Sequence, residues 1–136
     1  MKDLKGRVVA ITGAASGIGR ALAHVLARRG CTLAVCDVDA DALDALGQEL
    51  RRNGHDITVH PVDVSNAAAV EAYASDVLES HGRCHVLINN AGITSSGSFL
   101  EHDLDTWRRI IDTNLMGVGV PSLLAPLFGI QRGTHR

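Results

Sequence analysis

Several things are missing from this sequence, and each absence closes off a class of function. Neither sign of charge dominates: 13 Lys and Arg against 15 Asp and Glu leave a formal net charge of -2. Such a balance gives no electrostatic footing for nucleic acid or an anionic membrane. No apolar run reaches membrane-spanning length, and none precedes the first strand-like segment, so a soluble cytoplasmic protein is expected. The three cysteines, Cys31, Cys36 and Cys84, are odd in number and form no Cys-x-x-Cys pair, so buried free thiols are expected. Histidines 24, 55, 60, 81, 85, 102 and 135 make neither His-Glu-x-x-His nor a grid with cysteine, and no metal is expected. Tyr73 is the only tyrosine, and Lys2 and Lys5 are the only lysines.

Glycine, by contrast, is concentrated where it matters. Val8-Val9-Ala10-Ile11 reads as a buried strand, ends in Thr12-Gly13, and leads through two further glycines into a helical segment, Ile18 to Arg29. In a phosphate-cradling strand–turn–helix, Gly13 permits the turn, Gly17 allows close backbone approach to a pyrophosphate, and Gly19 lets the helix pack on the strand. The helix N-terminus adds free N–H groups and a positive dipole end. Arg20 and Ala21 follow Gly19 where a triphosphate P-loop would carry Lys-Ser/Thr. Simple turn chemistry is the alternative at this point.

The 136 residues amount to one domain at most. Ile18, Leu22, Val25 and Leu26 recur at helical spacing up to Gly30, and Thr32 to Cys36 is a second apolar strand. Leu43, Leu46 and Leu50 stripe a second helix that stops at Asn53-Gly54. Ile57 to Val62 is a third strand, and Ser65 is placed to cap a third helix carrying Val70, Tyr73, Val77 and Leu78. Val86 to Ile88 is a fourth strand, and Asp103 or Asp105 caps a last helix through Leu115. Strands that are apolar throughout, alternating with helices, indicate an α/β fold with a parallel sheet covered on both faces. Its ligand crevice opens at the carboxyl ends of the strands, where Gly13 to Gly19, Asp37, Asp63 and Asn90 all fall.

At those ends, Asp37 suits ribose hydroxyls and would repel a 2′-phosphate, or it simply starts the next helix. Asp63 could reach an adenine amino group or open a turn. Asn89 and Asn90, taken alone, read as turn residues, and Asn114 as a polar residue on a solvent-facing helix.

Together, Thr12-Gly-x-x-x-Gly-x-Gly19, Asp37, Asp63-Val64, Asn89-Asn90-Ala91-Gly92 and Asn114 resemble the short-chain dehydrogenase/reductase family over about residues 5–117. The resemblance implies a Rossmann-type doubly wound parallel sheet, truncated after the fourth strand and following helix. It implies that Gly13, Ser16, Gly17, Ile18 and Gly19 line a dinucleotide pyrophosphate, Asp37 holds the adenosine ribose, and Asp63 and Val64 flank adenine. Asn90, Ala91 and Gly92 would line the cofactor cleft, Thr12 would tie the first turn to them, and Asn114 would be the catalytic asparagine that bends its helix. NAD is the implied cofactor, preferred over NADP because no base neighbours Asp37 in sequence. A small alcohol or carbonyl substrate and a homo-oligomer are implied for a complete homologue. No nucleic-acid or membrane partner is expected.

The family's serine and its Tyr-x-x-x-Lys have no counterpart: Val77 stands four residues after Tyr73. An NAD(P)-dependent oxidoreductase of this type is expected, with this chain an inactive N-terminal fragment. A non-catalytic NAD-binding module and a methyltransferase-like S-adenosylmethionine domain are the alternatives. The fourth strand is expected as an unpaired apolar edge that favours low solubility. Residues 118–136 form a divergent tail in which Pro121 and Pro126 should interrupt any helix. It reads either as a variant loop or as a changed reading frame, since 133–136 read one base later permit Gly-His-Ile-Val.

Overall fold

The computed structural model describes residues 3–130; residues 133–136, on which the changed-frame reading rests, lie outside the described residues. Strands Val8–Thr12 (β1), Thr32–Asp37 (β2), Ile57–Pro61 (β3) and Val86–Ile88 (β4) pair in parallel in the order β3-β2-β1-β4. Helices Gly17–Arg28 (α1), Ala40–Arg52 (α2) and Ala67–His81 (α3) make the three crossovers. The expected doubly wound sheet is the one observed. After β3 the chain returns to the other side of β1, so the strand order reverses between β1 and β4, where a crevice must open.

Alternate side chains of each strand feed two cores. Val9, Ile11, Leu33 and Val35 pack against α1 and α2, with Leu43, Leu46 and Leu50 fully covered. On the other face the sheet presents small residues, Ala10, Ala34 and Cys36, and two rings fill the space they leave. Tyr73 and Phe128 are buried edge to face with centroids 5.4 Å apart, and the Tyr73 hydroxyl donates to the Ala34 carbonyl at 2.6 Å. Burial drives that phenol well above its usual pKa and pushes the Cys36 thiol up to about 12. All three cysteines are buried and free, as expected.

Several boundaries differ from expectation for local reasons. Helix α1 starts at Gly17, and its buried face is Gly19, Ala23 and Ala27, while Ile18 is 74% exposed. Only small residues let the helix lie close to the sheet; Leu22 and Leu26 ride on its flanks. Asn66, not Ser65, caps α3, its side chain accepting from Ala69 N at 3.1 Å. Asp103 caps Leu104–Ile111 (α4) as expected, but a π-helical turn, Asp112–Met116, then leads into Gly117–Leu123 (α5). Pro121 therefore sits inside a helix that it was expected to break. The Ser122 hydroxyl secures that segment, donating to the Val118 carbonyl at 2.6 Å and accepting from Asn89 Nδ2 at 3.0 Å. Pro126 lies in the first turn of a 3₁₀ segment, Ala125–Phe128, where its missing N–H is not needed.

Candidate functional site

The site begins where β1 ends. Gly13 has φ +66°, and a Cβ there would stand 2.7 Å from the Ala91 Cα. Gly17 has φ +55°, and among the described residues nothing beyond its own helix and chain neighbours comes within 4 Å of its Cβ position, so its bare backbone faces open space. A Cβ on Gly19 would strike the Gly13 carbonyl and Asn90 Nδ2. Ser16 occupies the N-cap position of α1 without a side-chain cap bond, and the first turn has no acidic residue. The N-terminus of α1 thus keeps its positive dipole end and donors available for an anion.

Three polar tethers hold this turn. Buried Thr12 accepts through Oγ1 from Asn90 N and Ala91 N, each at 3.0 Å, joining β1 to the end of β4. Asn90 Nδ2 donates to the Thr12 and Gly13 carbonyls at 3.2 and 3.0 Å. From the other side, Asp37 Oδ2 accepts from Ala15 N at 2.9 Å and Oδ1 from Asp39 N at 3.0 Å. The helix-start role falls to Asp39, which accepts from Ala42 N at 3.0 Å. Each Asp37 oxygen keeps a further lone pair for a ligand hydroxyl.

Asp63, just past β3, accepts through Oδ1 from Ser65 N at 2.9 Å and from Ser65 Oγ at 2.7 Å. Asn114 lies in the π turn. Its side chain is occupied by one backbone unit, Nδ2 donating to the Ile93 carbonyl at 2.7 Å and Oδ1 accepting from Ile93 N at 2.8 Å. The residue brackets the loop behind Gly92.

A cleft of about 610 Å³ opens over these elements. Gly13, Ser16, Gly17, Ile18, Asp37, Asp63, Val64, Asn90, Ala91 and Gly92 are among the residues that line it. Gly19 and Asn114 are not among the lining residues; they support those that are. Val38, Val62, Ser65, Ile93, Arg109 and Thr113 also line it and were not anticipated. Arg109 lies in α4 and Thr113 in the π turn that follows it, and no spacing in the sequence pointed to either. Arg109 brings a cation to a cleft that also holds Asp37 and Asp63, from an element remote in sequence from either.

Known proteins are similar to this chain in sequence and in fold. A model of the short chain dehydrogenase family matches residues 7–125. An uncharacterized oxidoreductase of Staphylococcus haemolyticus is 33% identical over 99% of this chain and 58% of its own length. A meso-2,3-butanediol dehydrogenase of Serratia marcescens is 40% identical over 82% of this chain and 44% of its own. A crystal structure of a short chain dehydrogenase/reductase from Burkholderia phymatum in complex with NAD superposes with a TM-score of 0.90 at 39% identity. That match covers 94% of this chain and 46% of the other. The chain thus spans about half the length of the relatives it matches.

Proposed function

Because the chain belongs to the short-chain dehydrogenase/reductase family, we propose that its cleft holds a nicotinamide dinucleotide. On this reading the chain is the cofactor-binding half of an oxidoreductase. The reaction exchanges hydride between nicotinamide and a small alcohol or carbonyl substrate. The observation that carries the reading is the bare Gly17 backbone at an uncapped α1 N-terminus, placed at the β1/β4 reversal. Those donors suit a pyrophosphate, with Gly13, Ser16, Ile18 and Gly19 shaping the turn.

Asp37 accepts from the adenosine ribose hydroxyls while its backbone bonds hold it toward the loop. A 2′-phosphate beside this carboxylate meets repulsion on the order of 1 kcal/mol or more, which favours NAD over NADP. Asp63 accepts from the adenine amino group, and Val64 packs beside the base. Asn90, Ala91 and Gly92 line the remainder of the cleft, and Asn114 holds that wall through Ile93. The bound nicotinamide supplies the two-electron acceptor or donor.

Proton transfer is not provided by these residues. Tyr73, the only tyrosine, is buried on the α3 side of the sheet, where its hydroxyl donates a hydrogen bond to the Ala34 carbonyl. Loss of a general acid/base removes roughly 10² to 10⁴ in rate, so this chain alone binds cofactor without turning over. A second reading of the same cleft is a binding module that works by occupancy.

Calorimetry of the 136-residue chain with NAD⁺, NADP⁺ and S-adenosylmethionine, beside a secondary-alcohol oxidation assay, tests both. Heat of binding with NAD⁺ strongest and no turnover is expected. Tighter binding of NADP⁺ overturns the cofactor preference, tighter binding of S-adenosylmethionine overturns the family reading of the cleft, and turnover by the pure chain overturns the inactivity.

A further inference from the structure

Resting on the reading that the cleft takes the adenosine half of a dinucleotide, we infer that Ser65 is a positioning residue. It sets the cleft's choice of purine, 6-amino over 6-oxo, by locking the Asp63 carboxylate. Two donors from Ser65 converge on a single oxygen: the backbone N–H at 2.9 Å and the hydroxyl at 2.7 Å, both on Asp63 Oδ1. The Asp63 carbonyl accepts from Asn66 N at 3.0 Å, which fixes the backbone beneath that carboxylate. Val62 and Val64 on either side are buried and anchor the residue to the α3-side core.

The consequence is an asymmetric acceptor. Asp63 Oδ1 is satisfied, whereas Oδ2 takes no partner among the described residues, and the residue lines the cleft. Asp37, the other acid there, differs in having one backbone donor on each oxygen. Ser65 has no competing duty at the helix start, because Asn66 supplies the cap of α3. Its hydroxyl proton is committed to Asp63.

An ionised carboxylate only accepts hydrogen bonds. A 6-amino group offers it an N–H, whereas a 6-oxo group turns a lone pair toward it. Asp63 is exposed, so the discrimination is that of one wet, charge-assisted hydrogen bond, about tenfold. Without the Ser65 hydroxyl the carboxylate rotates more freely, and a 6-oxo purine meets a less fixed charge.

The test measures, by calorimetry, the affinity of the 136-residue chain for NAD⁺ and for nicotinamide hypoxanthine dinucleotide. Ser65→Ala, Ser65→Thr and Asp63→Asn are compared with the unaltered chain. The unaltered chain is expected to favour NAD⁺ about tenfold. Ser65→Ala should lose NAD⁺ affinity several-fold, keep its affinity for the hypoxanthine analogue, and so narrow the ratio. Ser65→Thr retains both donors and should restore it. Asp63→Asn, whose oxygen stays with the two Ser65 donors so that its NH2 faces the purine, should abolish or reverse the preference. An unchanged ratio in Ser65→Ala, or an equal loss of both ligands, overturns the Ser65 assignment while leaving the dinucleotide reading intact. Equal binding of both dinucleotides by the unaltered chain overturns the purine selectivity and the adenine role of Asp63 with it. No binding of either overturns the dinucleotide reading itself.

Discussion

Replacing Thr12 by valine tests the tether on which the cleft depends. The side chains are nearly the same shape, so the change removes an acceptor and little else. In the native fold Thr12 is 1% exposed, and its Oγ1 takes the N–H groups of Asn90 and Ala91, each at 3.0 Å. Each donor left without a partner costs about 1–3 kcal/mol. Asn90 and Ala91 are half-buried, so water reaches them in part and the lower end of that range applies to each. The two together predict a loss of about 2–3 kcal/mol, a large fraction of a total stability of roughly 5–15 kcal/mol. At about 4 °C per kcal/mol for a domain of this size, the melting temperature should fall by roughly 10 °C. Thr12→Ser keeps the acceptor and gives up one methyl group, for about 1 kcal/mol. Urea unfolding followed by circular dichroism measures all three proteins. A valine variant within about 0.5 kcal/mol of the unaltered chain, or a serine variant as unstable as the valine one, refutes the reasoning.

Gly19→Ala and Gly17→Ala should separate packing from binding. At Gly19 the new Cβ meets the Gly13 carbonyl and the tethered Asn90 amide, and overpacking should cost about 1–3 kcal/mol in thermal melts. At Gly17 there is room, so only the φ of +55° opposes alanine; stability should fall by about 1 kcal/mol, while NAD⁺ affinity measured by calorimetry drops at least tenfold. Asp37→Ser should narrow the NAD⁺-to-NADP⁺ affinity ratio and, by releasing Ala15 N, weaken both ligands; an unchanged ratio would contradict the ribose role. Two histidines should make the fold acid-sensitive. Burial lowers the His60 pKa, with Asp76 opposing and His81 adding to the effect, and burial with Arg7 and Arg83 lowers that of His85. His85 Nδ1 accepts from Val8 N at 2.9 Å, and His60 and His81 share the Thr58 hydroxyl at 2.9 and 2.8 Å. Since both folded values lie below the ordinary 6.5, the unfolded chain takes up protons first. Stability is then complete above that pH and declines as pH falls through and below it. Urea midpoints collected from pH 7.5 down to 5 should show the decline, and His60→Gln should flatten it; a level profile for the unaltered chain contradicts the assignment.

The parts of this molecule legible in the sequence are those fixed by backbone geometry. Gly13, Gly17 and Gly19 could be assigned tasks because a positive φ and close approach exclude side chains, and the structure shows both features. Thr12 bonding across to the Asn-Asn-Ala-Gly segment came from the family resemblance, and the geometry agrees. Periodicity misled at α1, where Ile18 matched the apolar stripe but helix–sheet distance selected Gly19, Ala23 and Ala27 for the buried face. Ser65 and Asn66 are both good caps, and their order was decided by Asp63, which captures the serine. Pro121 defeated a local rule because the π turn before it and the Ser122 bonds to Val118 and Asn89 are set by tertiary structure. Arg109 and Thr113 join the cleft only through the placement of α4 and of the π turn after it, which sequence spacing does not reveal.

The central claim is that a nicotinamide dinucleotide lies across the β1/β4 reversal with its phosphates at the N-terminus of α1. Amide chemical-shift mapping of the isotopically labelled chain during titration with NAD⁺ tests it most directly. The account predicts saturable shifts centred on Gly13, Gly17, Ile18 and Gly19, continuing to Asp37, Asp63 and Ala91, and lost in Gly17→Ala. Shifts centred elsewhere on the chain, or none at millimolar NAD⁺, would contradict it.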